Sequence, residues 1–192
     1  MSIIHHLNIM RKALGHGTLF PKIRHKQKSA PQGSTEAPTH GFILERCSKE
    51  VSWFRHSEHH IYLKDWPNYH ILQLSDIHIR SKDKWLETLC LHLQGLKRDI
   101  IVLTGDLVTK NWTEEALNYF LEHLPPSKLG SFAILGNWEY WVVSDHQEWR
   151  EKLLKYGVQL LVEESVELDG LTILGTDDHL SGSCNPQALR KK

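Results

Sequence analysis

Cysteine is scarce in this chain, which has three cysteines among its 192 residues. They are Cys47, Cys90 and Cys184, an odd number without the short repeated spacing of a metal site. A disulfide framework is a device of small secreted domains and needs paired cysteines. We therefore expect unpaired thiols in a reducing compartment, which makes the cytoplasm the predicted location.

Long apolar runs and an excess of charge of one sign are also missing. No stretch of the sequence approaches the roughly 20 consecutive apolar residues that a membrane-spanning helix needs. Lysine and arginine together number 23, and so do aspartate and glutamate, so the formal net charge is zero. The overall field of the chain therefore gives no reason to expect nucleic acid or an acidic substrate.

The N-terminal third is basic, with eight lysines and arginines against two glutamates in residues 1–49. Residues 3–14 place apolar side chains at helical spacing, a pattern typical either of peripheral contact with the inner membrane or a partner, or of a plain polar tail. Residues 21–41 are rich in proline, glycine, serine, threonine and lysine, which predicts a linker. We expect residues 1–57 to form a basic, largely disordered extension and residues 58–192 to fold. The extension lacks interleaved aromatic side chains, so nucleic acid is not an expected partner.

Polar side chains follow three apolar runs, each at the point where a predicted strand ends. The runs and the residues that follow them are 71–74 with Asp76 and His78, 99–104 with Asp106, and 131–135 with Asn137. Helical patterns separate the runs, and right-handed crossovers make such strands parallel and put their ends on one edge of a sheet. We expect Gly105 and Gly136 to let the backbone turn sharply there. The sequence therefore predicts four oxygen or nitrogen ligands converging at one sheet edge.

The remaining turn and capping signals define the other elements of an α/β domain. We expect a strand over residues 58–64 and a helix over 84–96 with Trp85, Leu89, Leu93 and Leu96 on its inner face. A second helix is capped by Thr113 and ended by Pro125 and Pro126, a third is opened by a Ser144 and Gln147 capping box and closed by Gly157, and a hairpin forms around Asp169 and Gly170.

The three strand-end motifs, Asp76-Ile77-His78, Gly105-Asp106 and Gly136-Asn137-Trp138-Glu139, resemble those of the calcineurin-like metallophosphoesterase family, D-x-H, G-D and G-N-H-(E/D). The resemblance covers roughly residues 58–180. It is nearest to a bacterial branch that includes UDP-2,3-diacylglucosamine hydrolase-type phosphoesterases. The family fold is a four-layer α/β/β/α sandwich, of which this chain would supply mainly the first sheet with its helices. Residues 58–192 would then be the N-terminal part of the domain.

The resemblance implies a metal-dependent hydrolase. Family members cleave phosphodiester or phosphoanhydride bonds with water activated by two divalent ions, and the substrate here could be lipid-linked. By resemblance Asp106 bridges the two ions, Asp76 and His78 bind the first, and Asn137 binds the second and acts in catalysis. The mixed oxygen and nitrogen ligands favour manganese, iron or zinc.

Two departures from the family pattern stand out. Trp138 occupies the position of the family's proton-donating histidine, and an indole cannot act as a general acid at neutral pH. Glu139 thereby loses its usual partner, which leaves it as a loop acid. The later family histidines are missing, and only His179 follows His146; His92 and His123 are expected at the surface.

These departures leave two interpretations open. In the first, the chain is a C-terminally truncated metallophosphoesterase that holds a single ion and exposes an apolar sheet face. In the second, it is a non-catalytic binding or scaffold protein built on a decayed phosphoesterase domain. A nuclease of the same family is a third alternative.

Overall fold

The computed structural model describes residues 2–3, 24–26, 54, 56–61 and 68–185. Within these ranges the strands are β1 Ser2–Ile3, β2 Arg24–Lys26, β3 Glu58–Ile61, β4 Ile71–Leu74, β5 Ile100–Thr104, β6 Gly130–Ile134, β7 Val158–Leu160, β8 Glu164–Leu168 and β9 Leu171–Gly175. The helices are α1 Lys84–Gln94, α2 Glu114–Glu122, α3 Asn137–Val142 and α4 His146–Lys155. The predicted amphipathic segment 3–14 and the linker 21–41 lie almost wholly outside the described residues, so the proposed boundary after residue 57 stays a prediction.

A parallel four-stranded sheet in the order β4-β5-β6-β7 forms the centre of the fold. Ile71 pairs with Ile100, and Ile100 pairs with Gly130, so β4, β5 and β6 end at one edge. The predicted α/β architecture is confirmed, and a parallel sheet flanked by helices agrees with the expected fold class. The three-residue strand β7, which pairs in parallel with β6, was not predicted.

One face of the parallel sheet packs against helices α1, α2 and α4. Helix α1 contributes Leu86, Leu89, Cys90 and Leu93 to this core. Leu89 and Leu93 confirm the predicted inner face, whereas Trp85 and Leu96 are only partly buried and pack against the border of this core. The thiol of Cys90 is unpaired, and burial raises its pKa to about 11. It is a packing group rather than a nucleophile.

The opposite face of the sheet is covered in part by the β8–β9 hairpin. Ile100, Phe132 and Leu161 are buried there, and the hairpin packs Val166 and Ile173 against them. The turn has positive φ at both central residues, 31° at Asp169 and 82° at Gly170, which confirms the predicted hairpin. The apolar sheet face that the sequence predicts to be exposed is therefore partly covered.

The helix ends show which local signals the fold uses. Thr113 accepts a hydrogen bond from the Ala116 N–H, so the predicted cap of α2 is confirmed. The predicted capping box of α4 is wrong: Asp145, not Ser144, caps it by accepting from the N–H groups of Gln147 and Glu148. A carboxylate placed one residue later satisfies the free N–H groups at this helix end equally well.

Side chains also secure the sheet edge opposite the strand ends. Asp99 accepts hydrogen bonds from the backbone N–H of His70 at 2.8 Å and from its ring at 3.1 Å. Burial raises the pKa of Asp99, but these bonds and the charge of His70 outweigh it and hold the pKa below its usual value. The Tyr69 hydroxyl donates to the carbonyl of Asp169 at 2.5 Å, which links β4 to the hairpin.

No helix in the described part of the chain is long and apolar enough to cross a membrane.

Candidate metal centre

Three of the four predicted ligands meet at the edge where the parallel strands end. Asp76, His78 and Asp106 each offer one ligand atom, and these atoms lie within 4.8 Å of one another. Asp76 is exposed and the other two are half-buried. Asn137 is the first residue of α3 and directly follows Gly136, which packs against the Asp106 carboxylate. Asp76, His78 and Asp106 are therefore clustered, and Asn137 lies in the chain next to a glycine that contacts this cluster.

The backbone of these three residues is left-handed, which is rare outside glycine. Their φ angles are 55° at Asp76, 52° at His78 and 54° at Asp106. Aspartate and histidine tolerate this conformation better than most residues, but each instance costs free energy and is typical of functional sites. The Asp76 N–H donates to the Gly105 carbonyl at 3.2 Å and the His78 N–H donates to the Asp106 carbonyl at 3.0 Å. These bonds hold the two loops in register beyond the ends of the strands.

The two glycines of the motifs act in different ways. Gly105 has a φ of 85°, so the predicted sharp turn is correct there. Gly136 is extended, with a φ of −105°, and the turn explanation is wrong for it. A Cβ atom at Gly136 would lie 2.3 Å from Oδ1 of Asp106. Glycine is therefore required at residue 136 because the Asp106 carboxylate approaches the backbone closely.

Glu139 is not a loop acid, and that expectation is wrong. Its side chain is 1% exposed and accepts hydrogen bonds from four backbone N–H groups. Oε2 accepts from Asp106 at 2.9 Å and Gly136 at 2.8 Å, and Oε1 accepts from Leu107 at 2.8 Å and Val108 at 3.2 Å. Burial raises the pKa of Glu139, and the four N–H groups oppose that shift. One carboxylate thus fastens the Asp106 loop to the start of α3.

A sequence signal for part of this arrangement existed. Glu139 stands three residues after Gly136, which is the spacing of a glutamate that reaches back to the first N–H of a helix. The contacts with the Asp106 loop join residues more than 30 positions apart, and no local pattern predicts them.

The electrostatics of Asp106 favour a cation nearby. Burial raises the pKa of Asp106, and the charges of Asp76 and Asp178 add to that rise. The Trp138 N–H and His78 act in the opposite direction. Nδ1 of His78 is buried and has no hydrogen-bond partner among the described residues. Carboxylates crowded beside an unpaired imidazole nitrogen fit a divalent metal ion, which supplies positive charge and ligates nitrogen and oxygen together.

Trp138 contacts two of the candidate ligands. Its backbone N–H donates to Oδ1 of Asp106 at 3.0 Å. Its ring contacts the His78 ring edge to face, with centroids 5.6 Å apart and planes at 82°. Trp138 therefore positions Asp106 through the backbone and covers His78 through its side chain.

The segment after β9 places an acidic residue, rather than His179, where its charge acts on Asp106. His179 is exposed, whereas the charge of Asp178 acts on Asp106. The neighbouring Asp177 is buried and accepts hydrogen bonds from the Tyr140 hydroxyl at 2.6 Å and the Ser183 N–H at 2.7 Å. Of the helix histidines, His123 is exposed as expected, while His92 is half-buried against Phe54. Asp177 and Asp178 were missed because they match no family motif.

The comparisons with known proteins agree with this geometry. The model of the calcineurin-like phosphoesterase family matches residues 69–185, so the chain belongs to that family. One relative is an uncharacterized metallophosphoesterase of Aquifex aeolicus, 36% identical over 112 residues, or 56% of this chain and 42% of that protein. Another is the UDP-2,3-diacylglucosamine pyrophosphatase LpxG of Chlamydia trachomatis, 40% identical over 74 residues, or 36% of this chain and 22% of that protein. The chain thus spans less than half the length of either relative. No solved structure matches it.

Proposed function

We propose that the chain carries a metal-dependent phosphoesterase site that hydrolyses a phosphodiester or phosphoanhydride bond. The observation that carries the proposal is the convergence of Asp76, His78 and Asp106 within 4.8 Å, with a buried nitrogen of His78 unpaired. Divalent ions, when bound, lower the pKa of water so that hydroxide forms at neutral pH, and they offset the charge of the phosphoryl oxygens.

The residues have distinct proposed roles. Asp76, His78 and Asp106 would hold one ion, and Asn137 together with the bridging Asp106 would begin a second site. Asp106 is suited to bridging because a carboxylate has two oxygens, and one of them is already oriented by the Trp138 N–H. The three residues that converge are enough for one ion, so we propose that this chain binds one ion more tightly than a second. Manganese, iron and zinc match the mixed ligands best.

The character of the leaving group follows from Trp138. An indole N–H donates a hydrogen bond but cannot transfer a proton at neutral pH, so it cannot protonate a departing alkoxide. A phosphoanhydride or an activated diester leaves without that help. The relative named as a pyrophosphatase acts, by its name, on a phosphoanhydride of a diacylated sugar nucleotide. A lipid-linked phosphoanhydride is therefore the substrate that we propose, with the enzyme acting in the cytoplasm and residues 3–14 touching the inner membrane.

Metal removal tests the function. The full chain should hydrolyse bis(4-nitrophenyl) phosphate when Mn²⁺ is added, and a chelator should lower the rate about tenfold or more because the ion supplies the nucleophile's activation. Readdition of Mn²⁺ should restore the rate. Calorimetric titration with Mn²⁺ gives the number of ions bound. Metal binding without hydrolysis would favour the alternative of a non-catalytic binding protein, for which Trp138 is the supporting observation.

Replacing Trp138 by histidine tests the leaving-group argument. Trp138→His supplies a proton donor, so hydrolysis of an unactivated alkyl phosphodiester should rise roughly 10- to 100-fold, the lower part of the range for general acid catalysis. Hydrolysis of bis(4-nitrophenyl) phosphate should change much less, since nitrophenolate leaves unaided. The two rates are measured side by side on one preparation. Equal gains on both esters would refute the argument, and Trp138→Phe controls for loss of the indole.

A further inference from the structure

Two tryptophans extend outward from the candidate metal centre. The Trp138 ring contacts His78, and the Trp141 ring contacts Trp138 with centroids 5.3 Å apart and planes at 62°. The two residues are three positions apart on α3, which places them on the same side of that helix. Glu139, between them, is buried against the loops. An aromatic surface therefore begins at a proposed ligand and continues into solvent.

Packing does not account for the outer tryptophan. Trp141 is 65% exposed, whereas Trp149 in the helix-covered core is 3% exposed. A tryptophan that mainly serves the core buries most of its large apolar surface, as Trp149 does. Single exposed apolar residues are ordinary, but Trp141 is in ring contact with a second tryptophan that itself covers a proposed ligand.

We propose that Trp138 and Trp141 form a stacking surface for a planar aromatic ring carried by the substrate next to its phosphoryl group. The inference rests on the proposed function, because the phosphoryl group is placed at Asp76, His78 and Asp106. The ring centroids are 5.6 Å apart from His78 to Trp138 and 5.3 Å apart from Trp138 to Trp141. A ring a few bonds from the phosphorus therefore reaches the surface. Indole rings carry no formal charge and bind flat π surfaces, so they select a nucleobase or aryl group over a sugar alone.

Binding of small phosphates to the full chain tests the surface without relying on turnover. Adenosine monophosphate and phenyl phosphate carry a ring, and ribose 5-phosphate has the phosphate without one. In Mn²⁺-containing buffer we expect both ring-bearing probes to bind more tightly than ribose 5-phosphate, with tryptophan fluorescence as the readout. The tighter of the two identifies the ring as a nucleobase or a simple aryl group.

The substitution of the outer tryptophan gives the decisive comparison. Trp141→Ala should weaken binding of adenosine monophosphate by roughly 5- to 10-fold, within the range of base stacking on one aromatic side chain, and leave ribose 5-phosphate unchanged. Trp141→Phe keeps a ring and should retain most of the affinity. Leu154→Ala, at an exposed leucine of α4, should change neither. Because Trp141 and Leu154 are both exposed, all three variants should fold, and circular dichroism of each variant tests this.

Two results would overturn the proposal: unchanged binding of adenosine monophosphate by Trp141→Ala, or an equal loss for ribose 5-phosphate. The proposed hydrolysis fails separately, if chelation of metal leaves the rate unchanged. If the unsubstituted chain shows no preference for ring-bearing probes while its hydrolysis still depends on metal, the stacking surface alone is refuted.

Discussion

Replacing Asp106 by asparagine is expected to lower metal-dependent hydrolysis by roughly 10²- to 10³-fold, because in the proposed function this carboxylate bridges the catalytic ions, a role worth several kcal/mol. The substitution removes one negative charge and little else. Asparagine tolerates the left-handed backbone that Asp106 adopts, with a φ of 54°. Its amide oxygen can still accept the Trp138 N–H. The affinity for Mn²⁺, measured by calorimetry, should fall together with the rate.

The chain offers a matched control for this substitution. Asp169 also has a positive φ, 31°, but lies in the hairpin turn near Tyr69, at the opposite end of the sheet. Asp169→Asn should therefore leave both hydrolysis and Mn²⁺ affinity within a factor of about two, as expected for a substitution away from the site. Full activity in Asp106→Asn, with the fold intact, would contradict the bridging role proposed for the Asp106 carboxylate.

Truncation of Glu139 is expected to have the largest effect on stability of any substitution near the centre. Glu139→Ala leaves four backbone N–H groups without their acceptor inside the protein. Each unpaired buried N–H costs about 1–3 kcal/mol before relaxation, so we expect the free energy of unfolding to fall by about 4 kcal/mol. Urea denaturation followed by circular dichroism measures the change. Native proteins are stable by only about 5–15 kcal/mol, so the variant would be marginal.

A graded series separates the hydrogen bonds from the loss of volume. Glu139→Gln keeps one acceptor oxygen and turns an amide NH₂ toward the other pair of donors, so its loss of stability should be intermediate. Glu122→Ala removes an exposed glutamate at the end of α2 and should change stability by no more than about 0.5 kcal/mol. Equal stability of the wild type and Glu139→Ala would contradict the role assigned to this carboxylate.

The sequence predicted the candidate site best where residues able to bind a metal directly follow a strand. The apolar runs before Asp76 and Asp106 predicted buried parallel strands, and parallel strands bring their ends together whatever the details of packing. Topology brings the strand ends that precede Asp76, His78 and Asp106 to one edge, and the hydrogen bonds between the two loops complete the convergence. A pattern that depends only on burial and connection length can be read without knowing the tertiary contacts.

What the sequence did not reveal depends on contacts between distant segments. Three of the four hydrogen bonds that Glu139 accepts require the Asp106 loop to lie against α3, and no local pattern in residues 136–142 indicates that contact. His78 combines a left-handed backbone with a hydrogen bond from its N–H to the Asp106 carbonyl, 28 positions away. Helix α3 has six residues and β7 has three, too few for a periodic pattern to be recognised. Asp145 rather than Ser144 caps α4. Aspartate and serine are similarly good caps, so the residue type does not distinguish the two positions.

The parallel sheet also sets an order of assembly during synthesis. Ile71 lies opposite Ile100 and Ile100 opposite Gly130, so each pairing must wait until about thirty further residues have been made. Helices α1 and α2 have 11 and 9 residues, which is short for a helix that must be stable alone in water, so they gain most of their stability only when the sheet forms against them. Until then β4 and β5 are apolar segments without partners, the kind of segment on which nascent chains aggregate. The candidate metal centre therefore depends on the pairing of β4 with β5, because Asp76 and His78 follow one of these strands and Asp106 follows the other.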